Sequence, residues 1–326
     1  MNITCLSYFL ASSTNSWISL VHSLGFSAFS MLSIAKNFGV ALQITEQVLG
    51  QQHPSYAQSL NNLAALYEAQ GKYDKALPLY EQALQIDKQV YGDKHPDVAT
   101  NLNNLALLYD SQGEYDKALP LYEQALQIRK QLLGQQHPDY ANSLNNLAGL
   151  YDSQGEYGKA LPLYEQALQI REQALGKQHP SYASSLNNLA GLYRAQGKYD
   201  KALPLFEQAL QIRKQVLGQQ HPDYAQSLNN LAMLYQSQGE YDKALPLYEQ
   251  ALQITKQVLG QQHPDYAQSL NNLAGLYYSQ DKYDKALPLY KQAIEILVKV
   301  LGDKHPNTQL VKKNYEECRT TTSKVV

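Results

Sequence analysis

The sequence predicts an all-α fold, an α-solenoid of stacked antiparallel helix pairs. Three observations carry that expectation. His-Pro recurs at 53, 95, 137, 179, 221, 263 and 305, and every interval is 42 residues. All 13 prolines fall at two positions of this period, in His-Pro and in LPLY or LPLF (Pro78, Pro120, Pro162, Pro204, Pro246, Pro288). No stretch alternates apolar and polar residues as a strand would. A fixed period of this length marks a stack of supersecondary units, each covering its neighbour.

The period sets the expected organisation. Residues 1–40 do not match the repeat and read as a divergent leader or degenerate cap. Residues 41–52, ALQITEQVLGQQ, match the end of a second helix and form a partial repeat. Residues 53–304 hold six 42-residue units, and residues 305–326 begin a seventh, read as a capping helix and tail. In that last helix Lys312, Glu316 and Arg319 replace Leu60, Ala64 and Tyr67, as a solvent-facing cap requires.

Each unit reads as two helices. Helix A runs from about Pro54 to Ala69, with proline at the first helical position, where its missing N–H had no partner anyway. Gly71 and its counterparts end it. Helix B starts near Asp74, the expected N-cap, and runs to about Val90, with Pro78 near its first turn. On a helical wheel Tyr56, Ala57, Leu60, Leu63, Ala64 and Tyr67 share one face, the expected core. Asn62 and Ala65 fall opposite, flanked by Asn61 and Glu68. Helix B offers Ala76, Leu79, Tyr80, Ala83, Leu84 and Ile86 as its apolar set.

Composition excludes several function classes. Lys+Arg is 27 against Asp+Glu 29, a net charge of −2, so neither a strongly basic nucleic-acid binder nor a polybasic membrane-surface protein is expected. The two cysteines, Cys5 and Cys318, stand near opposite ends and make no disulfide scaffold, zinc cluster or CxxC motif. The stretch Trp17–Ala35 is uncharged and of membrane-spanning length, but it holds five serines and a histidine and follows no basic region. A cap or leader is expected there; an anchor or signal is the alternative. Repeated histidines one layer apart, roughly 10 Å, are too distant to share a metal ion. Gly191–Lys198 superficially resembles a phosphate loop, but it has five residues between its glycines and lacks the preceding strand. No metal, no cofactor and no catalytic site are expected, and cytoplasm is the default location.

The spacing Leu63-Ala64-x2-Tyr67 … Ala76-x3-Tyr80-x2-Ala83 is similar to the tetratricopeptide signature, with Leu60 in place of its tryptophan. The 42-residue unit, with LNNLAxLY, QGxYxKALPLYEQALQI and LGxxHP, resembles the repeats of kinesin light chains and their bacterial relatives, over residues 41–318. The resemblance implies a right-handed superhelix with a concave groove that binds a protein or peptide segment.

Candidate groove residues follow. Asn pairs recur at Asn61/Asn62, Asn103/Asn104, Asn145/Asn146, Asn187/Asn188, Asn229/Asn230 and Asn271/Asn272. Asparagine is a mediocre helix former, so its repetition within helices needs a reason. Its amide offers one acceptor and two donors, the complement of an extended peptide backbone. The alternative is a structural ladder of amides between neighbouring helices. A varied column follows the helix A tyrosine: Glu68, Asp110, Asp152, Arg194, Gln236 and Tyr278. A second holds Ala65, Leu107, Gly149, Gly191, Met233 and Gly275. The resemblance to kinesin light chains implies basic groove residues and acidic cargo, but only Arg194 follows that trend. A neutral or basic segment is the better expectation. The expected function is a non-enzymatic interaction scaffold. The alternatives are the regulatory or sensor part of a larger signalling protein and a kinesin light chain-like cargo adaptor.

Overall fold

The computed structural model of the protein describes residues 28–325, with side chains over 39–323. The divergent leader therefore lies outside the described residues up to position 27. Among the described residues there are fourteen helices and no strand. Helix α1 covers Ala28–Leu49. Six pairs follow: α2 (Pro54–Ala69) and α3 (Tyr73–Tyr91), α4 (Pro96–Ser111) and α5 (Tyr115–Leu133), α6 (Pro138–Ser153) and α7 (Tyr157–Leu175). Then come α8 (Pro180–Ala195) and α9 (Tyr199–Leu217), α10 (Pro222–Ser237) and α11 (Tyr241–Val258), α12 (Pro264–Ser279) and α13 (Tyr283–Val300). Helix α14 (Pro306–Val325) closes the series. No described helix is long and apolar enough to cross a membrane.

The helices form two compact units, residues 29–170 and 171–326. Within each, the two helices of a pair pack together, and the second helix packs on the first helix of the next pair. This is an α-solenoid arrangement.

Every helix A starts on the same device. His Nδ1 accepts the backbone N–H two residues ahead, at 3.1 Å in His53, His137, His179, His221, His263 and His305 and 3.2 Å in His95. Proline then fills the first helical position and fixes φ for the helix. Histidine thus acts as an N-cap in place of the usual Ser, Thr, Asp or Asn. Helix B starts differently from expectation. Its N-cap is Lys72, with no side-chain cap bond, and Asp74 lies inside the first turn. There the carboxylate meets the positive end of the helix dipole rather than an orphan N–H. The turn between the helices needs a left-handed residue. Gly113 supplies it at φ 75°, and Asp281 is the non-glycine counterpart at φ 57°, its carboxylate bonded by the Tyr283 hydroxyl.

The core is an alanine seam. Ala57 and Ala64 of α2 and Ala76 and Ala83 of α3 have no exposed surface, and neither do their counterparts in the later units. Tyr56, Leu60 and Leu63 are buried as expected, but Tyr67 is only half-buried. Leu66, which the single-helix wheel left off the core face, is also buried. Its counterpart Leu108 explains this: it packs with Leu105 against Ala64, Ala76 and Tyr80 of the preceding pair. A solenoid helix has two neighbours, so its buried arc is wider than one face.

The same constraint corrects the expectation for Asn61. It was placed beside the solvent-facing side, yet it is 3% exposed and donates to Asn101 Oδ1 at 2.6 Å. Asn101 in turn donates to Asp87 at 2.8 Å. Asp87 occupies a buried column that the repeats fill with four different chemistries, and its partner always stands 14 residues later. Thr45 pairs with Ser59 and Thr255 with Ser269 through hydroxyls. Arg129, Arg171 and Arg213 donate to Ser143, Ser185 and Ser227 at 2.7, 2.6 and 3.0 Å. Leu297 and Val311 close the column with an apolar pair. Only where the first residue is Asp does the second become Asn, which can donate to it. Burial pushes Arg171 down to about 10. It pushes Asp87 up to about 6, against the Asn101 amide, with Asp97 raising and His95 lowering it further.

Helix α14 is a single helix with one covered side. Thr308, Val311 and Cys318 are buried, whereas Glu316 and Arg319 are exposed and paired with each other at 2.7 Å.

Two outcomes follow. His137→Ala removes a cap and should cost about 1 kcal/mol in urea unfolding, while His137→Asn should recover most of it. Asp87 binds its proton more tightly folded than unfolded, so its contribution to stability falls as pH rises from 4 through 6. Asp87→Asn should therefore raise the melting temperature at pH 8 and change it little at pH 4.

Candidate functional site

The helix A faces turned away from the alanine seam carry the candidate residues. In the first unit these faces belong to α2, α4 and α6, and in the second to α8, α10 and α12.

The two members of each Asn pair have different surroundings. The first is directed between layers. Asn61, Asn103, Asn187 and Asn271 are buried, and Asn145 and Asn229 half-buried. Asn103 accepts from Asn146 at 2.8 Å, Asn187 donates to Ser227 at 3.3 Å, and Asn271 accepts from Asn314 at 3.0 Å. These are bonds of the amide-ladder kind. The second member is half-buried in every unit: Asn62, Asn104, Asn146, Asn188, Asn230 and Asn272. Some are held along their own helix. Gln58 donates to Asn62 at 3.2 Å and Gln268 to Asn272 at 2.8 Å. These bonds fix the amide's orientation yet leave part of its surface open.

The varied column stands against a ring that the sequence reading assigned only to the core. Twelve residues after each column member comes the large aromatic of helix B: Tyr80, Tyr122, Tyr164, Phe206, Tyr248 or Tyr290. The rings are buried, but their hydroxyls reach the helix A face. Tyr80 donates to Glu68 at 2.8 Å, Tyr122 to Asp110 at 3.5 Å and Tyr248 to Gln236 at 2.9 Å. A side chain added at Gly149 or Gly275 would meet the hydroxyl of Tyr164 or Tyr290 at 3.6 Å. The one ring without a hydroxyl, Phe206, is the one matched to Arg194, the column's only cation. A guanidinium has donors and no acceptor, so it could not receive a tyrosine proton. That fixed offset, with its single paired exception, was the signal available in the sequence.

The electrostatics differ between the units. Glu68, Asp110 and Asp152 are half-buried on successive helices of the first unit. Burial raises the Glu68 and Asp110 carboxyls above the ordinary range, and the tyrosine hydroxyls only partly offset this. Burial and the Asp152 charge likewise raise the Tyr164 hydroxyl. In the second unit the column is Arg194, Gln236 and Tyr278. Gln236 spans two layers, donating to the Gly275 carbonyl at 3.2 Å and to Ser279 at 2.9 Å. The Tyr278 hydroxyl lies 3.4 Å from that of Thr321.

The repeats match those of known proteins. The tetratricopeptide repeat model matches residues 36–89, 61–131, 111–173, 153–215, 181–257, 223–299 and 265–309. No curated protein matches the chain. The crystal structure of BtubC (BKLC) from P. vanneervenii covers 71% of this chain and 91% of its own, at 29% identity and a TM-score of 0.56. A Podosopora anserina structure, described as a kinesin light chain of nearly identical TPR-like repeats, covers 63% of this chain and 98% of its own. Its identity is 32% and its TM-score 0.51. A Rap protein complexed with competence and sporulation factor shares the fold over 99% of this chain and 89% of its own, at 17% identity and a TM-score of 0.64.

Tyr80→Phe should cost about 1–3 kcal/mol in urea unfolding, because Glu68 loses its only hydroxyl donor in a half-buried place. Phe206→Tyr should stabilise the chain more when combined with Arg194→Glu, to which the hydroxyl can donate, than alone, where it can only accept from Arg194; equal gain from Phe206→Tyr alone would refute the matched-pair account.

Proposed function

The chain belongs to the tetratricopeptide repeat family, with neighbours of the kinesin light chain type, and from that premise we propose that it is a cytoplasmic interaction scaffold. Repeats of this family are in general scaffolds rather than catalysts, and this chain acts by holding an extended peptide segment of a partner protein on its helix A faces. It is not an enzyme and needs no metal or cofactor for this role.

One observation carries the reading. Near-identical units keep a half-buried amide at the same place, while the side chain six residues later changes identity from unit to unit. A constant amide suits what every peptide has in common, its backbone. A varied neighbour suits what differs, its side chains. Amides on successive layers, about 10 Å apart, would meet an extended strand at about every third residue. The buried first amides, Asn61, Asn103, Asn187 and Asn271, contribute indirectly, by fixing the layers on which the open ones sit. Asn145 and Asn229, half-buried, share both positions.

The ligand's charge follows from the varied column. Burial raises the Glu68 and Asp110 carboxyls, and each accepts a neutral tyrosine hydroxyl, so a cationic side chain from a ligand would relieve them. The first unit therefore takes a neutral or basic segment. The second, with Arg194, Gln236 and Tyr278, takes a polar or aromatic one. Each hydrogen bond contributes about 1 kcal/mol, so several layers must engage together.

The test uses pools of random 15-residue peptides of acidic, neutral or basic composition, read by fluorescence anisotropy. Basic and neutral pools should bind, and Asn104→Ala with Asn230→Ala should weaken binding at least tenfold with helicity unchanged. Equal binding by wild type and variant would remove the amide faces from the function.

A further inference from the structure

Helix α1 is a helix B without its helix A among the described residues. Its inner side is used normally: Leu42 packs against Tyr56, Ala57, Leu60, Ala83 and Ile86, and Thr45 bonds Ser59 at 3.3 Å. Its other side is bare. Ile44 is 40% exposed, whereas its counterparts Ile86, Ile128, Ile170, Ile212, Ile254 and Ile296 are 3–5% exposed. In the later units the cover comes from helix A, as when Tyr56, Ala57 and Leu60 enclose Ile86. Val40, at 45%, and Val48, at 71%, lie one helical turn either side of Ile44 and complete an apolar stripe. The stripe runs along the flank opposite Leu42.

We propose that the occupant of this face is the chain's own segment 9–24. The 27 residues that precede α1 lead directly into it, so the segment is tethered at the face it would cover. A helix A of this protein takes 16 residues, the length of 9–24. Trp17, Leu20, Val21 and Leu24 have the relative spacing of Leu60, Leu63, Ala64 and Tyr67, the side of α2 that covers α3, set two positions later in the segment. Gly25 follows, where a turn back into α1 is needed. No charged residue occurs before Lys36, so covering the apolar stripe with this segment buries no charge. A tethered cap of this sort needs little intrinsic affinity, because its effective concentration at the face is high. The inference concerns the end of the stack and does not depend on the peptide-binding reading.

Trp17 is the only tryptophan in the chain, so its fluorescence reports this contact alone. In the full chain its emission should be shifted to shorter wavelength than N-acetyltryptophanamide and be shielded from acrylamide. Ile44→Glu should shift it back and restore quenching, with the circular dichroism of the repeats unchanged. Leu20→Glu should do the same from the other side of the contact, which covers the case in which Ile44→Glu perturbs folding. Val90→Glu, at an equally exposed valine on α3, should leave the emission unmoved. A solvent-like Trp17 in the wild type, or a shielded one indifferent to both Ile44→Glu and Leu20→Glu, would overturn the proposal. So would a dimer, seen by light scattering, that Ile44→Glu dissociates, since a second copy would then be the occupant.

Discussion

Everything in this molecule depends on how closely its helices approach. The buried alanines Ala57, Ala64, Ala76 and Ala83 have no exposed surface at all, and the column recurs without exception through six units. A methyl group at the crossing of two helices lets their backbones come near. Larger side chains such as Leu60, Tyr80 and Ile86 then close over the crossing from either side. That spacing decides where the next side chains end. With wider helices the Tyr80 hydroxyl would not reach Glu68, and Asn61 would not reach Asn101.

The close approach also explains why one helix must serve two neighbours. Helix A buries one arc against its own helix B and another against the preceding pair. Leu105 and Leu108 occupy the second arc, and so do the interlayer amides. A helix pair alone would leave that arc open. Stability of such a stack is a sum over units and the interfaces between them, so the two ends are its weak points. Helix α14 has a polar outer face, with Glu316 and Arg319 exposed. At the other end α1 presents Val40, Ile44 and Val48, an apolar face that calls for cover.

Much of this was legible in the sequence, because the repeat itself does the averaging that one helix cannot. The period, the proline positions and the glycine turns fixed where helices begin and end. Helix A was read as Pro54–Ala69, and it is. The wheel of one isolated helix misplaced Leu66 and Asn61, since it assumes a single buried direction. The Asp87 column was invisible to that method for the same reason, and a buried carboxylate is not what hydrophobic patterning looks for. It becomes legible when units are compared by column: Thr, Asp, Arg, Arg, Arg, Thr, Leu, each with a suited partner 14 residues on. At the candidate site, the wheel sets the second Asn opposite the core face; its half-burial lies outside a one-helix view. The tyrosine hydroxyls went unseen, because a core aromatic was read for its ring and not for its tip.

The alanine seam is tested most directly by equilibrium unfolding of Ala106→Val. Ala106 is 0% exposed and packs with Ala118 and Tyr122 of α5 and Leu147 and Leu150 of α6, so two added methyl groups there have no room unless these helices part. The expected result is a loss of about 1–3 kcal/mol, with hydrogen-exchange protection reduced in α4 to α6 together rather than in α4 alone. Unchanged stability, or a loss confined to α4, would contradict the claim that close approach between helices sets the rest of the structure.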